Sequence, residues 1–415
     1  MSKNSFFQLL FVTIIVFVFT GHVSAQHPQY AKGQLIKSEQ IAVFDQQKLS
    51  KITHEELQEF LHGSPTPFEA YNGKFATPKN SLTLYKLTYQ TSIPEKKNKL
   101  TIATGLIAIP DQLKEGAPMV SYQHGTVFGK EDVPSHIESS MEMKLILSQF
   151  GGQGFVCISA DYIGLGDSKE PNSYFSRKAT EEACMDMYAA SIQFLKKKNI
   201  KTGSFFTMGW SQGGYSNMVF LRRLEEAKIP VTASATAAAP VDLNLFLTRG
   251  LTNPRAIDAF FTPAAFGNLL FAFENYYNMP GLAKKSILPQ YYTLAEDFYY
   301  FKIDFLTHLQ KTTTKIVDYV QPAFIEQMKA GNNKLSKILN ESEGYRWLSI
   351  TPLRAYYGMK DEAVPDYLAH LAIDYQSLLG KTNGQSFNAG DNADHRNTYV
   401  QALIEVEPWF ETFMK

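Results

Sequence analysis

Hydrophobic and polar positions follow two different patterns along the chain, and the change falls near residue 118. Before it, residues 82–91 and 100–109 are rich in β-branched and aromatic side chains and end at turn formers, which is typical of strands. After it, short and nearly continuous apolar runs alternate with longer segments of helical periodicity. A parallel sheet covered on both faces requires this alternation. The pattern therefore predicts an α/β fold with a mostly parallel central sheet and helices on both faces.

A helix-rich, aromatic stretch interrupts the alternation between residues 241 and 345, and the alternation resumes at Leu353. The stretch is too long for one crossover, so we interpret 241–345 as a helical cap, or lid, inserted between two core strands. A helical subdomain whose rings fill only its own core is the alternative. The predicted core is then 81–240 and 346–415, with 26–80 as an N-terminal extension. The aromatic residues of the stretch are Phe260, Phe261, Phe266, Phe271, Phe273, Tyr276, Tyr277, Tyr291, Tyr292, Phe298, Tyr299, Tyr300 and Phe301.

The N-terminus has the pattern of a secretory signal peptide. Lys3 precedes an apolar run over residues 6–19, and small residues follow up to Ala25. The run is short for a membrane span, which needs about 20 residues. We expect a signal peptide over 1–25 with the cut after Ala25 and a secreted or periplasmic protein, with an uncleaved anchor as the alternative. Because no comparable run follows, we expect no membrane span in the mature chain.

Composition excludes several function classes. Lys and Arg together number 40 and so do Asp and Glu, so nothing indicates a nucleic-acid partner or any partner selected by charge. Two cysteines do not make a disulfide framework. Cys157 lies in an apolar run and Cys184 in a helical one, which favours two buried thiols over a bridge. No set of His, Cys and acidic residues has the spacing of metal ligands, so no metal or cofactor is expected, and no signal specifies an oligomeric state.

A candidate nucleophile lies in the run Gly209-Trp-Ser-Gln-Gly. An apolar strand leads into Gly209 and a helical pattern follows Gly213, which is the context that a G-x-S-x-G match needs. A sharp strand-to-helix turn lifts the Ser211 hydroxyl off the sheet, and the neighbours two positions away must then lack side chains. The N-terminus of the helix directs partial positive charge at the site. A purely structural tight turn is the alternative.

A serine needs a base to take its proton and a carboxylate to orient that base. Three histidines follow Ser211. His308 lies in the predicted cap and His370 in a helical run, whereas His395 lies in a polar loop before the last helix. We therefore assign His395 as the base.

The candidate acid is Asp361, because it directly follows the strand-like run 353–358 and can reach a later histidine. Glu362 beside it and Asp242 after the preceding strand are competitors, and Asp361 as a helix cap or a solvated loop charge is the structural alternative. Asp391 and Asp394 are expected to shape the loop beside His395.

The strand before residue 124 ends in a His-Gly pair that lets the backbone approach a tetrahedral intermediate. We expect the Thr126 N–H and the Gln212 N–H to form the oxyanion hole, with His124 structural rather than a base. The loop 160–168 has glycines but lacks the lysine of a phosphate-binding loop, so we interpret it as a tight loop at the rim.

Taken together, these motifs resemble the α/β-hydrolase superfamily, in particular the secretory lipase group with its lipase A-like enzymes, over about residues 80 to 410. The resemblance implies a carboxylic-ester hydrolase with a helical cap, with Ser211, Asp361 and His395 as the triad and Thr126 and Gln212 shaping the oxyanion hole. The cap offers no motif to align, and members differ in the oxyanion strand, so no acyl-chain preference is carried over. The motifs are Gln123-His-Gly-Thr, Ala160-Asp-Tyr-x-Gly-x-Gly, Gly209-Trp-Ser-Gln-Gly-Gly, Gly358-x-x-Asp-x-x-Val-Pro and the late His395.

The sequence thus predicts a secreted serine hydrolase that cleaves small-molecule or lipid esters through an acyl-enzyme intermediate without a cofactor. The neutral, aromatic cap suggests apolar acyl or aryl groups. A serine peptidase or amidase of the same fold is the first alternative, although propeller-like repeats are not visible. A non-catalytic binding protein on a hydrolase fold is the second.

Overall fold

The computed structural model describes residues 31–414. The predicted signal peptide and its cut after Ala25 lie outside the described residues. Within them, nine strands form one sheet. The strands are Leu35–Phe44 (β1), Leu82–Ile93 (β2), Lys99–Pro110 (β3), Ala117–Gln123 (β4), Val156–Ala160 (β5), Thr202–Trp210 (β6), Ala233–Ala237 (β7), Leu353–Tyr357 (β8) and Gly384–Asn388 (β9).

The sheet is antiparallel at one end and parallel over the rest. Its order is β1-β2-β3-β5-β4-β6-β7-β8-β9, with antiparallel pairing from β1 to β5 and parallel pairing from β5 to β9. The mostly parallel sheet predicted from the sequence is confirmed. Because parallel strands end at the same edge, the turns after β4, β6 and β8 lie close together.

Helices cover both faces of the sheet, in agreement with the apolar runs of the sequence. Successive side chains of a strand point to opposite faces. Val120 and Phe206 accordingly pack in a cluster with the helices around residues 145 and 403, whereas Met119 and Phe205 pack in another with those around residues 187 and 220. The helices outside the predicted cap are Gln46–Lys51 (α1), Leu57–Phe60 (α2), Met141–Gln149 (α3), Arg177–Lys197 (α4) and Gln212–Glu226 (α5), and then Asp366–Ala369 (α13), Leu371–Leu378 (α14) and His395–Glu411 (α15).

Seven helices lie between β7 and β8, within the stretch interpreted as a cap. All of them except α10 contribute to one apolar cluster, which also includes Tyr174 and Phe175 of the loop before α4 and Tyr215 and Val219 of α5. The Tyr276 and Tyr299 hydroxyls donate to the Pro171 and Asn172 carbonyls at 2.7 and 2.8 Å. The helices are Leu243–Thr252 (α6), Thr262–Tyr276 (α7), Leu282–Ser286 (α8), Pro289–Tyr299 (α9), Phe305–Lys311 (α10), Pro322–Ala330 (α11) and Lys334–Glu341 (α12).

The segment before residue 81 takes part in the sheet. β1 pairs along its length with β2 and forms the edge of the sheet, while Leu49, Ile52 and Leu57 are buried in the core. None of the helices in the described range 31–414 is long and apolar enough to cross a membrane.

Candidate active site

Ser211 occupies a strained turn between β6 and α5. Its φ of 58° and ψ of −125° lie where residues other than glycine are held only by their surroundings. The Ser211 N–H donates to the Ala237 carbonyl at 2.9 Å, which fixes the turn to β7. The residue lines a cavity, and within residues 31–414 its Oγ has no protein hydrogen-bond partner. The Ser211 hydroxyl is therefore free to contact a molecule bound in this cavity.

Close backbone contacts explain the glycines on either side of Ser211. A side chain at Gly209 would overlap the Gly213 carbonyl, and one at Gly213 would overlap the Gln123 carbonyl. The missing side chains thus let α5 begin directly against the ends of β6 and β4. The N-terminus of α5 therefore lies next to Ser211, and the partial positive charge of the helix N-terminus can stabilise an anion there.

The structure brings His395 and Asp361 into contact, although 33 residues lie between them in the chain. The ring Nδ1 of His395 lies 2.9 Å from Asp361 Oδ2 and 3.0 Å from Oδ1. Asp361 Oδ1 also accepts from the Ala363 and Val364 N–H groups at 2.9 and 2.7 Å. Trp210 packs against the ring at 4.8 Å between centroids and donates through Nε1 to the His395 carbonyl. The imidazole is consequently held in place at one nitrogen, and Nε2 is left for other partners.

Burial alone lowers the pKa of His395, because it disfavours the charged ring. The negative charge of Asp361 and its hydrogen bond outweigh this effect, so the pKa of His395 is raised above its ordinary 6.5. An imidazole of raised pKa accepts a proton more readily, and the adjacent carboxylate stabilises the imidazolium that results.

The competing acids are engaged elsewhere. Glu362 accepts the backbone N–H of His395 at 3.1 Å rather than a ring nitrogen. Asp242 caps α6 through the Leu245 N–H at 2.9 Å and accepts from the Tyr345 hydroxyl at 3.1 Å. Of the sequence candidates, the ring of His395 is hydrogen-bonded to Asp361 alone within residues 31–414.

The other histidines have structural surroundings. His370 Nδ1 lies 2.7 Å from Asp374 Oδ2 one helical turn away. His308 is buried in the predicted cap against Phe298. His124 stacks on Tyr162 at 4.2 Å and bonds to the carbonyls of the turn and of the loop after β5.

The two predicted oxyanion donors flank the serine. Thr126 and Ser211 line the same cavity, and Gln212 is the first residue of α5. Neither the Thr126 N–H nor the Gln212 N–H donates to a protein group in the part of the chain that the structure describes. The Thr126 hydroxyl is hydrogen-bonded to the Tyr174 hydroxyl at 2.8 Å, which anchors the Thr126 side chain beside the cavity.

The cavity beside Ser211 lies under the predicted cap and is mostly apolar. Its volume is about 70 Å³, and the wider cleft around it is partly open to solvent. Phe261 and Phe266 are the members of the aromatic set that line it. The remaining lining residues are Thr126, Tyr174, Phe175, Pro240, Phe246, Leu247, Arg249, Gly250, Asp258, Thr262, Ala265, Leu269, Ile316, Glu362, Ala363 and Val364.

Potential metal ligands and thiols can be located within residues 31–414. No group of three or more His, Cys, Asp or Glu in the range 31–414 is arranged to hold a metal ion. Cys157 and Cys184 are free and buried, and burial raises the pKa of each thiol far above its ordinary value.

Two contacts of the site have no signal in the sequence. Glu142, in α3, accepts the Gly125 N–H and the Tyr122 hydroxyl at 2.8 Å each. Arg255, between α6 and α7, donates to the Asp361 carbonyl at 2.9 Å and so ties the predicted cap to the acid loop. Both contacts join segments that are distant in the chain, and no local pattern marks either residue.

Comparison with known proteins supports the fold through structure rather than sequence. The sequence matches no family model, and no curated protein matches it. A Legionella pneumophila protein superposes with a TM-score of 0.80 at 22% identity, covering 92% of this chain and 98% of that one. The rice cell wall degrading esterase LipA of Xanthomonas oryzae gives 0.77 at 18% identity, covering 93% and 100%. Candida antarctica lipase A in its closed state gives 0.68 at 13% identity, covering 92% and 82%.

These likenesses confirm the α/β-hydrolase fold that the sequence predicts, over nearly the whole described chain. The resemblance to the lipase A-like group is confirmed at the level of fold. The substrates of the esterase and the lipase are properties of those two proteins.

Proposed function

We propose that the chain is a serine hydrolase that cleaves carboxylic esters, exported after removal of residues 1–25. Ser211 is the nucleophile, His395 the base and Asp361 the acid that orients it. The observation that carries the proposal is the hydrogen-bonded pair of Asp361 and His395. The His395 ring packs against Trp210, and Trp210 directly precedes Ser211 on its strained turn. The structural likeness to an esterase and a lipase supports the reaction class.

The reaction proceeds in two steps. Ser211 Oγ attacks the ester carbonyl while His395 Nε2 takes its proton, and the carbonyl oxygen becomes an oxyanion that the Thr126 and Gln212 N–H groups receive. His395 then returns the proton to the leaving alcohol, which leaves an acyl group on Ser211. Water attacks this acyl-enzyme with His395 again as the base, and the acid is released.

The serine and the histidine are not hydrogen-bonded to each other in this structure. Catalytic hydrogen bonds are often long without substrate and shorten in the complex. Since Asp361 holds Nδ1 of the His395 ring, Nε2 is the nitrogen that remains available to the Ser211 hydroxyl.

The proposal is tested with purified protein on p-nitrophenyl esters of graded acyl length beside a panel of peptide anilides. We expect ester turnover and no comparable anilide turnover. Anilide turnover that equals or exceeds ester turnover would favour a peptidase or amidase. Turnover of neither class would favour a binding protein.

Gly250 is expected to set the acyl length that the cavity accepts. It lies in α6 and lines the cavity, and a Cβ added there would meet no atom within 4 Å. A phenylalanine at this position would occupy the space next to Leu247 and Phe266. We expect Gly250→Phe to lower kcat/KM for long acyl chains by at least about 10–200-fold, because this is the effect of one methylene in a pocket and the added benzyl group is larger.

The matched control is Gly250→Ala, which adds one methyl group and leaves most of the space. Short acyl chains should be hydrolysed by both variants at near wild-type rates. An equal loss for short and long chains in Gly250→Phe would show that the cavity does not hold the acyl group.

A further inference from the structure

Glu142 lies against the turn that carries the predicted oxyanion donor Thr126. Its Oε2 accepts the Gly125 N–H at 2.8 Å, and Gly125 directly precedes Thr126. The same oxygen accepts the Tyr122 hydroxyl at 2.8 Å from β4. A Cβ added to Gly125 would lie 3.1 Å from Glu142 Oε1 and 3.3 Å from the Trp210 carbonyl. The turn is therefore held between Glu142 on one side and the residue before Ser211 on the other.

The location of this carboxylate is unusual for a residue with only a structural role. Other acidic side chains of its surroundings pair with lysines, as Glu56 and Glu138 do with Lys144. Glu142 has no such ion pair within residues 31–414, and it borders an open groove that Thr126 also lines. Its backbone carbonyl accepts the Tyr399 hydroxyl at 2.9 Å, which joins it to the helix that begins with His395.

We propose that Glu142 is a positioning residue of this hydrolase: its carboxylate holds the Gly125 N–H and thereby aims the Thr126 N–H at the oxyanion. The inference rests on the proposed function. Hydrogen bonds to an ionised acceptor are roughly twice as strong as those to a neutral one. The ionised carboxylate therefore holds the turn more firmly than the protonated acid does.

The charge state of Glu142 changes near neutrality. Burial raises the pKa of Glu142 to about 7, against the opposing effects of the Gly125 N–H, the Tyr122 hydroxyl and the charge of His395. The titratable groups that interact with it are Tyr122 on β4, Tyr162 on the loop after β5, and His395 and Tyr399 on α15. The three tyrosines have raised pKa values and stay neutral, so among these groups His395 is the one that ionises. The groove that Glu142 borders is also lined by the charged residues Lys130, Glu131, Asp132, Lys302 and Asp304.

The effect of position can be separated from the effect of charge. The imidazolium and the oxyanion form together, so the negative charge of Glu142 stabilises the first and destabilises the second. The hydrogen bond to Gly125 adds an effect on the position of the turn that has no such opposing partner. Raising the pH through the pKa of Glu142 should accordingly increase kcat/KM beyond the increase that deprotonation of His395 causes.

The experiment compares wild type with Glu142→Gln across the pH range on one short-chain ester. The amide has the shape of the protonated acid and lacks its ability to ionise. Losing a whole oxyanion donor costs about 10²–10³-fold, so we expect softening of the turn to cost about tenfold well above neutral pH. The ratio of the two kcat/KM values should fall toward one on the acid side, with its midpoint near the pKa of Glu142.

Two further variants sharpen the test. Tyr122→Phe removes a hydrogen-bond donor that lowers the pKa of Glu142, so the acid limb of the pH profile should move to higher pH. This variant tests the proposal even if Glu142→Gln does not fold. Glu138→Gln, an exposed acid just before α3, should reproduce the wild-type profile. A ratio of wild type to Glu142→Gln that stays constant with pH, or an unmoved limb in Tyr122→Phe, would overturn the proposal. Absence of ester turnover in the wild type would instead refute the proposed function itself.

Discussion

Replacing Ser211 with alanine should lower ester kcat by about 10⁵–10⁶-fold, the loss typical of removing the nucleophile of a triad. The variant retains the Cβ and the strained turn, so the fold and the cavity should be unaffected. The residual rate reflects attack by water on a substrate that the cavity still binds and that the oxyanion donors still stabilise. The measurement is initial-rate kinetics on a p-nitrophenyl ester, with a thermal melt to verify folding.

The matched control for this variant is Ser216→Ala, which removes a buried hydroxyl from the same helix, α5. We expect it to keep kcat within a few-fold of wild type. Retention of substantial turnover in Ser211→Ala would mean that another group attacks the ester, and the assignment of the nucleophile would be wrong.

Replacing Asp361 with asparagine should lower kcat by about 10⁴-fold. An asparagine amide can donate to Nδ1 of His395, which would move the ring proton to Nε2 and leave no base facing Ser211. The fold should tolerate the change, because an amide oxygen can still accept from the Ala363 and Val364 N–H groups. Kinetics with the same ester provide the measurement.

The pH profile of this variant gives a second readout. Activity requires neutral His395, so wild-type kcat/KM should fall as the pH drops through a pKa above 6.5. Asp361 is the main cause that opposes the effect of burial on that pKa. In Asp361→Asn the residual activity should therefore persist to lower pH than in wild type.

The competing acids provide the controls. Asp242→Asn should stay within a few-fold of wild type, because this carboxylate caps α6 and contacts Tyr345. Glu362→Gln should have a modest effect, because it loses only the charge beside the His395 backbone N–H. A loss in either variant that exceeds the loss in Asp361→Asn would place the acid elsewhere.

The fold was predictable wherever burial imposes a pattern on the sequence. The strands β4 to β7 are almost wholly buried, so most of their residues are apolar or small, and the runs that predict them agree with the structure. The edge strands β1 and β9 were not predicted. Most of their side chains are exposed or half-exposed, so polar residues such as Lys37 and Glu39 are tolerated there. The backbone pairs with its neighbour whatever the side chains are, and the sequence therefore lacks the apolar pattern that would reveal a strand.

Some residues of the candidate site could likewise be predicted from local sequence, and others could not. The turn at Ser211 is encoded locally, since Gly209 and Gly213 are required by contacts with nearby backbone. Chain order and loop polarity were enough to nominate Asp361 and His395. Glu142 has no such signal, because its contact with Gly125 depends on how α3 packs beside β4, which no local pattern specifies.

The most direct test of the central claim is to treat the purified protein with a fluorophosphonate and map the adduct by peptide mass spectrometry. Such probes phosphonylate a serine only when a base activates it and an oxyanion hole receives the phosphoryl oxygen. The account predicts a single adduct on Ser211, formed rapidly in wild type and slowly in Asp361→Asn. An unlabelled protein, or an adduct on any other residue, would contradict it.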